Sequence, residues 1–277
     1  MSDAIARVAP DGLYTPEIKR HSLEKIRLHN RYARIFATAM RPHWSQLAYV
    51  GLYAGAGHAR VVPDGDTIET SALAVLRQPT RFTHYVFVDH NPDCTAAVES
   101  RVAPLRTGVS VDVICEDANG SADRVRASLP PFSKHQGLLS FCFVDPFDLK
   151  LKFETIRRLS GLRMDFLVLL MLGVDGRRNF HEYLADPSDT RIGEFIDLPD
   201  WRQQVRPNEK VLPFLLTRFD EAMQRVGYLS AAEDAHPIRI PGMGVLLYML
   251  AFYSKSERGR GFWRATRAGL DEQLGFL

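Results

Sequence analysis

The sequence predicts an α/β domain built on a mostly parallel seven-stranded sheet with helices on both faces, preceded by an N-terminal helix and carrying a helical insertion after the fifth strand. Two observations carry this. Five short apolar runs, 47–53, 85–88, 109–115, 138–144 and 166–172, are bounded by turn residues and separated by helix-compatible stretches, the alternation that builds a parallel sheet. The runs are apolar at consecutive positions, as strands covered on both faces require.

The N-terminal element comes first. Residues 17–40 contain no Pro or Gly, and Leu23, Ile26, Tyr32, Ile35, Phe36 and Ala39 recur at three- and four-residue steps, so one helix with one apolar stripe is expected there. Its opposite face carries Lys19, Arg20, Lys25, Arg27, Arg31 and Arg34 against Glu17 and Glu24. Such a face is either solvated or, with Lys19, Arg27 and Arg31 joined by Lys255, Arg258 and Arg260, a surface for nucleic-acid phosphates.

Beyond Gly173 the pattern breaks into short polar helical segments with Pro187, Pro199, Pro207 and Pro213, then a longer helix over 208–226 ending at Gly227. Two further strands, 238–241 and 245–254, meet around Pro241 and Gly242, and a helix over 261–274 closes the chain. The expected organisation is an N-terminal helical extension over 1–45 and one α/β domain over 46–277, with the insertion at about 176–227. No internal repeat or interdomain linker interrupts it.

Bulk composition excludes several classes. The net charge of +2 is too small to bind nucleic acid by itself. Cys94, Cys115 and Cys142 are widely spaced and odd in number, which favours reduced, mostly buried thiols over a disulfide framework or a zinc knuckle. Residues 1–16 lack the apolar core of a signal peptide, so a cytoplasmic location is expected. The most apolar windows, 166–174 and 245–253, are about half the length of a membrane span, and no membrane partner is expected.

Chemistry is expected at the carboxyl tips of the strands, where open α/β sheets bind ligands. The first ends in Tyr53-Ala54-Gly55-Ala56-Gly57, whose glycines let the backbone turn sharply and approach a ligand. A tight turn without a ligand explains them as well, and Arg60 stands where a dinucleotide fingerprint has its third glycine. The second strand ends in Asp89, placed to accept hydrogen bonds from both hydroxyls of a ribose or to cap the helix starting near Pro92. At the third tip, Asp117 can accept from an adenine amino group beside the Ala118 backbone donor, or serve as a helix cap.

The fourth strand ends in Asp145-Pro146-Phe147-Asp148. A carboxylate, a carbonyl left without its own N–H partner and an aromatic face together can hold a planar amine. Asp-Pro is also a common turn opener. Arg177 and Arg178 follow the fifth strand and can reach a phosphate or form a plain surface turn. His58, His90 and His181 show no metal-ligand spacing, and neither Ser140 nor Ser254 sits in a nucleophile elbow.

Four tips carrying, in order, glycines, an acid, Asp-Ala-Asn and Asp-Pro-Phe resemble the Rossmann-like class I S-adenosylmethionine-dependent methyltransferase fold. That resemblance implies S-adenosylmethionine as cofactor, held by Tyr53, Gly55, Gly57, Asp89, His90, Asp117 and Ala118, with Asp145, Pro146 and Phe147 at the reacting centre. A narrower resemblance rests on Lys25 with Tyr32, the Tyr53–Gly57 turn, Asp145-Pro146-Phe147 and the run Tyr248-Met249-Leu250-Ala251-Phe252-Tyr253-Ser254-Lys255. Across about 19–265 the chain is similar to the three-Cys-motif partner proteins, which implies a three-Cys-motif protein as a possible partner. It departs from the pattern at Gly51, where such proteins and methyltransferases carry an acid, and at Asp148, where the family has glycine.

Overall fold

The computed structural model describes residues 9–131 and 137–274. The chain enters as β1 (Glu17–Lys19) and then α1 (Ser22–Met40). The helix expected over 17–40 is therefore shorter, because Glu17–Lys19 pairs in parallel with β3 (His58–Val62). The intervening β2 is Gln46–Leu52. The stripe on α1 is also wider than expected: Ile26, Tyr32 and Phe36 are buried, but so are Leu28, His29, Ala33 and Met40, while Leu23, Ile35 and Ala39 are only half-buried.

After β2 the chain turns into an antiparallel pair that the sequence pattern does not reveal, β3 with β4 (Thr67–Glu69), which joins β1 in a small three-stranded sheet. The alternation expected of the main sheet then follows: α2 (Ser71–Leu76), β5 (His84–Asp89), α3 (Pro92–Val102), β6 (Ser110–Cys115), α4 (Ala122–Ser128), β7 (Leu138–Val144), α5 (Phe153–Leu159) and β8 (Met164–Leu170). A π-helical turn, Leu172–Gly176, leads into α6 (Arg177–Ala185), α7 (Arg191–Ile196) and α8 (Val211–Arg225). The chain closes with β9 (His236–Arg239), β10 (Leu246–Tyr253) and α9 (Glu257–Leu274).

The main sheet has seven strands in the order β6-β5-β2-β7-β8-β10-β9. β6 to β8 are mutually parallel, β10 is antiparallel to β8, and β9 is antiparallel to β10. Chain order reverses between β2 and β7, which creates the switch point at whose carboxyl side open α/β sheets take ligands.

Successive side chains of each strand feed different layers. Ala48, Val50, Leu52, Cys142 and Val144 pack with α4, α5 and the helices of the insertion. Leu47, Tyr49, Phe141 and Phe143 pack with α1, α2, α3 and α9. Edge strand β6 departs from the two-sided burial expected of it, with only Ile114 fully buried. Among the described residues no helix is long and apolar enough to cross a membrane. Cys94 and Cys142 are buried, whereas Cys115, expected to be enclosed, is exposed at the end of β6.

Candidate functional site

Register brings the four strand tips together. Leu52 lies opposite both Val88 and Val144, and Asp89 lies opposite Cys115. Backbone bonds stitch the loops above: Ala54 N–H donates to Val88 O at 2.9 Å, Glu116 N–H to Asp89 O at 3.0 Å, and Asp145 N–H to Leu52 O at 3.3 Å.

Asp89 holds the glycine turn. One carboxylate oxygen accepts from Gly55 N–H at 2.8 Å and the other from Asn91 N–H at 2.9 Å. It is not the cap of α3, since Asn91 accepts there from Asp93 N–H. The exposed His90 ring places Nδ1 3.8 Å from Asp89. Asp117 is exposed and closes its own turn by accepting from Asn119 N–H at 2.8 Å, with Ala118 buried behind it. Asn119 in turn bonds Lys150 O and Lys152 N–H, which ties this tip to the loop after β7.

The two glycines divide their work. A Cβ on Gly55 would meet nothing within 4 Å, and its φ of +67° suits glycine. Gly57 faces inward instead, where a Cβ would stand 3.1 Å from Leu73. The glycine expected to touch a ligand therefore packs the turn onto α2. Tyr53, before them, holds φ +61°, a left-handed conformation that costs a side-chain-bearing residue free energy. Burial raises the Tyr53 phenol above its ordinary range, and the carboxylates of Asp117, Asp148 and Asp89 add to this.

Asp145 does more than open a turn. Both its oxygens meet the Lys25 ammonium, at 2.5 and 2.6 Å, and the two side chains are only 18% and 13% exposed. Tyr248 stands nearby: burial raises its phenol first and the Asp145 charge second. Pro146 is buried, whereas Phe147 is 72% exposed, its ring free to stack. Asp148 is occupied by Lys150, which donates from its backbone at 3.0 Å and pairs through its ammonium.

An acid at Gly51 would be crowded by aromatic side chains. A Cβ there would lie 3.3 Å from Tyr49 and 3.5 Å from Phe87, in an aromatic layer where the Tyr49 hydroxyl meets His29 Nε2 at 2.9 Å. Asp89 supplies the ordering of the glycine turn instead. The set of residues present thus suits a nucleoside: an open glycine, an acid with unfilled acceptor positions, and an aromatic ring and a second acid beside them.

The basic residues do not form one surface. Arg20 pairs with Asp64, and Arg31 donates to Gly269 O. Lys19 and Arg27 are exposed. Lys255, Arg258 and Arg260 stand beyond Tyr253, the end of β10 that pairs with the start of β8 and is thus opposite the switch point. There Lys255 donates to Ser160 O, and Arg260 pairs with Glu257 and Asp234. Arg177 is exposed at the start of α6, and the Arg178 side chain lies outside the described ones. Among the described residues no group of His, Cys, Asp or Glu is placed to hold a metal ion.

Sequence patterns alone missed the Lys25–Asp145 pair, the left-handed Tyr53 and the placing of Tyr248. Lys25 and Tyr248 had a signal, since both fall in motifs of the narrower resemblance.

No protein-family model and no curated protein matches the chain. Solved structures similar to it include a protein from Legionella pneumophila (12% identity, TM-score 0.46, 83% of this chain and 84% of that one). Others are an O-methyltransferase from Bacillus cereus in complex with SAH (10%, 0.42, 80% of each chain) and magnesium protoporphyrin IX methyltransferase from Synechocystis with bound SAM (9%, 0.40, 82% and 80%). Similarities this distant assign no activity to the chain.

Proposed function

We propose that the chain is an S-adenosylmethionine-dependent methyltransferase-like protein that transfers a methyl group to an amino nitrogen of a nucleotide or nucleic acid. One observation carries this: the lysine-fixed carboxylate of Asp145 and the exposed ring of Phe147 share one loop above the switch point, beside the glycine turn that Asp89 holds. The bound cofactor supplies an electrophilic methyl group. The chain's own work is then positioning, which requires little acid or base.

Gly55 offers open space and Asp89 keeps acceptor positions for ribose hydroxyls. Tyr53, His90, Asp117 and Ala118 would border the adenine of the bound cofactor. The Lys25 ammonium donates to both Asp145 oxygens and fills one lone pair of each, so the carboxylate keeps a fixed orientation while still accepting from an amine. Phe147 stacks on the ring that bears that amine.

A methyl-transfer assay on adenine- and cytosine-bearing nucleotides, DNA and RNA tests the proposal. Turnover by the wild type that falls at least ~100-fold in Asp145→Ala supports it. A second reading is favoured by the filled space at Gly51 and the lysine already seated on Asp145: an accessory partner of a three-Cys-motif protein that keeps the fold without the reaction. In that case no amine-bearing substrate is methylated, and Asp145→Ala alters only stability or partner binding.

A further inference from the structure

On the far side of the sheet from the switch point, at the amino ends of β7 and β8, a cavity of about 210 Å³ opens between the end of α1 and the start of α9. Its walls are Phe36, Met40, Trp44, Leu139 and Phe262, and its polar lining is Asp165, Ser254, Ser256 and Arg258. Asp165, the second residue of β8, is half-buried, as a group on a cavity wall is. Two hydroxyls face it, Ser254 and, at 3.5 Å, Tyr32. Among the described residues Asp165 has no ion pair: Arg258 lines the same cavity from an exposed position without one, and the Arg163 guanidinium stands 5.8 Å over the ring of the wall residue Trp44. Gly259 preserves the arrangement, because a Cβ there would overlap Ser254 Oγ and come within 3.1 Å of Asp165.

Burial pushes the Asp165 carboxyl up to about 7, against the pull of its two hydroxyl donors. A carboxylate in such a place is poorly compensated, and an opposite charge beside it restores the ionised form. Aromatic walls attract cations as well.

We propose that this cavity binds a small organic ammonium ion, its charge against Asp165 and its apolar body against Trp44, Phe262 and Leu139. The ammonium comes either from a free amine or from an amino acid, whose carboxylate then meets Arg258. The volume lies below that of drug-sized ligand pockets, which suits molecules of this size. Nothing in the assignment depends on methyl transfer.

Calorimetric titration of the full chain with phenethylamine, phenylalanine and 3-phenylpropanoate tests it. At least one of the two ammonium compounds binds, and 3-phenylpropanoate does not. Asp165→Asn, which keeps the shape and one acceptor oxygen but removes the charge, weakens that binding at least tenfold, and Leu139→Phe, which narrows the cavity without touching a charge, weakens it independently. Tighter binding of phenylalanine than of phenethylamine, lost in Arg258→Gln, identifies an amino acid as the source; the reverse order identifies a free amine. Absence of binding by both ammonium compounds, equal binding of 3-phenylpropanoate, or binding indifferent to both Asp165→Asn and Leu139→Phe overturns the proposal.

Discussion

The Lys25 ammonium, one turn into α1, reaches across to both carboxylate oxygens of Asp145 at the tip of the strand beside the switch point. This pair links the helix that covers one face of the sheet to the loop on which the proposed reaction depends. Because both groups are largely enclosed, removing one strands the other. Asp145→Ala is expected to cost about 1–3 kcal/mol of stability by leaving Lys25 uncompensated. The double variant Lys25→Met with Asp145→Ala should recover part of that loss. Chemical denaturation of the wild type, Lys25→Met, Asp145→Ala and the double variant measures it, and additive losses would show that the pair has no coupling.

Arg101 is expected to govern the glycine turn from behind. Only 7% exposed, it donates to both oxygens of Asp11, to the carbonyls of Tyr14 and Ala56, and to Thr15. Ala56 lies between Gly55 and Gly57, so the clamp fixes the turn to the N-terminal segment. Arg101→Met should destabilise the fold by about 3–5 kcal/mol, since it leaves a carboxylate and buried carbonyls without their donor. The Arg101 side chain also draws the Asp11 carboxyl down to about 2 from its ordinary 3.8. That stabilisation is complete above pH 3.8 and lost as pH falls toward 2. An Arg101→Met protein whose acid sensitivity matches the wild type in this window would contradict the assignment.

His29 should give the fold a second acid-sensitive element. Burial holds its imidazole down to about 4 from an ordinary 6.5, opposed by its bond to Asn30. The unfolded chain takes up the proton first, so the contribution of the neutral ring is complete above pH 6.5 and is lost as pH falls toward 4. Replacing His29 with Gln should flatten the decline of stability between those values. Identical slopes in wild type and variant would remove His29 from the account.

Nucleic-acid binding that accompanies the proposed reaction should draw on the exposed Lys19 and Arg27 and not on one patch with Lys255, Arg258 and Arg260, which stand at the opposite end of the strands. Affinity for DNA or RNA should fall by roughly 0.7–0.9 log units per log unit of salt for each phosphate contact. Lys19→Ala and Arg27→Ala should each lower that slope by about one contact. A slope unchanged by both leaves these residues as a solvated surface.

Much of this architecture is legible in the sequence. β7 falls on residues 138–144 as expected, and β2, β5 and β8 lie within about two residues of their apolar runs, because strands covered on both faces must be apolar throughout; edge strand β6 is found as closely, but through the alternating Val109, Val111 and Val113. The small sheet is not legible, since three-residue strands such as Glu17–Lys19 and Thr67–Glu69 carry almost no pattern. The strand-tip acids are visible as residue types, but their partners are not. Nothing local to Asp145 announces Lys25, 120 positions earlier, and only the folded turn reveals that Gly57 faces Leu73 while Gly55 faces open space. A Tyr at a left-handed position is likewise invisible until the backbone is known.

The most direct test of the central claim is a calorimetric titration of the wild-type chain and of Asp89→Ala with S-adenosylhomocysteine, which reports the nucleoside site without requiring turnover. The account predicts saturable one-site binding by the wild type and an affinity loss of about 1.5–3 kcal/mol in the variant, since Asp89 holds Gly55 and on the proposed reading would also accept from the ribose hydroxyls. No binding by the wild type at millimolar ligand, or binding that Asp89→Ala leaves unchanged, would contradict it.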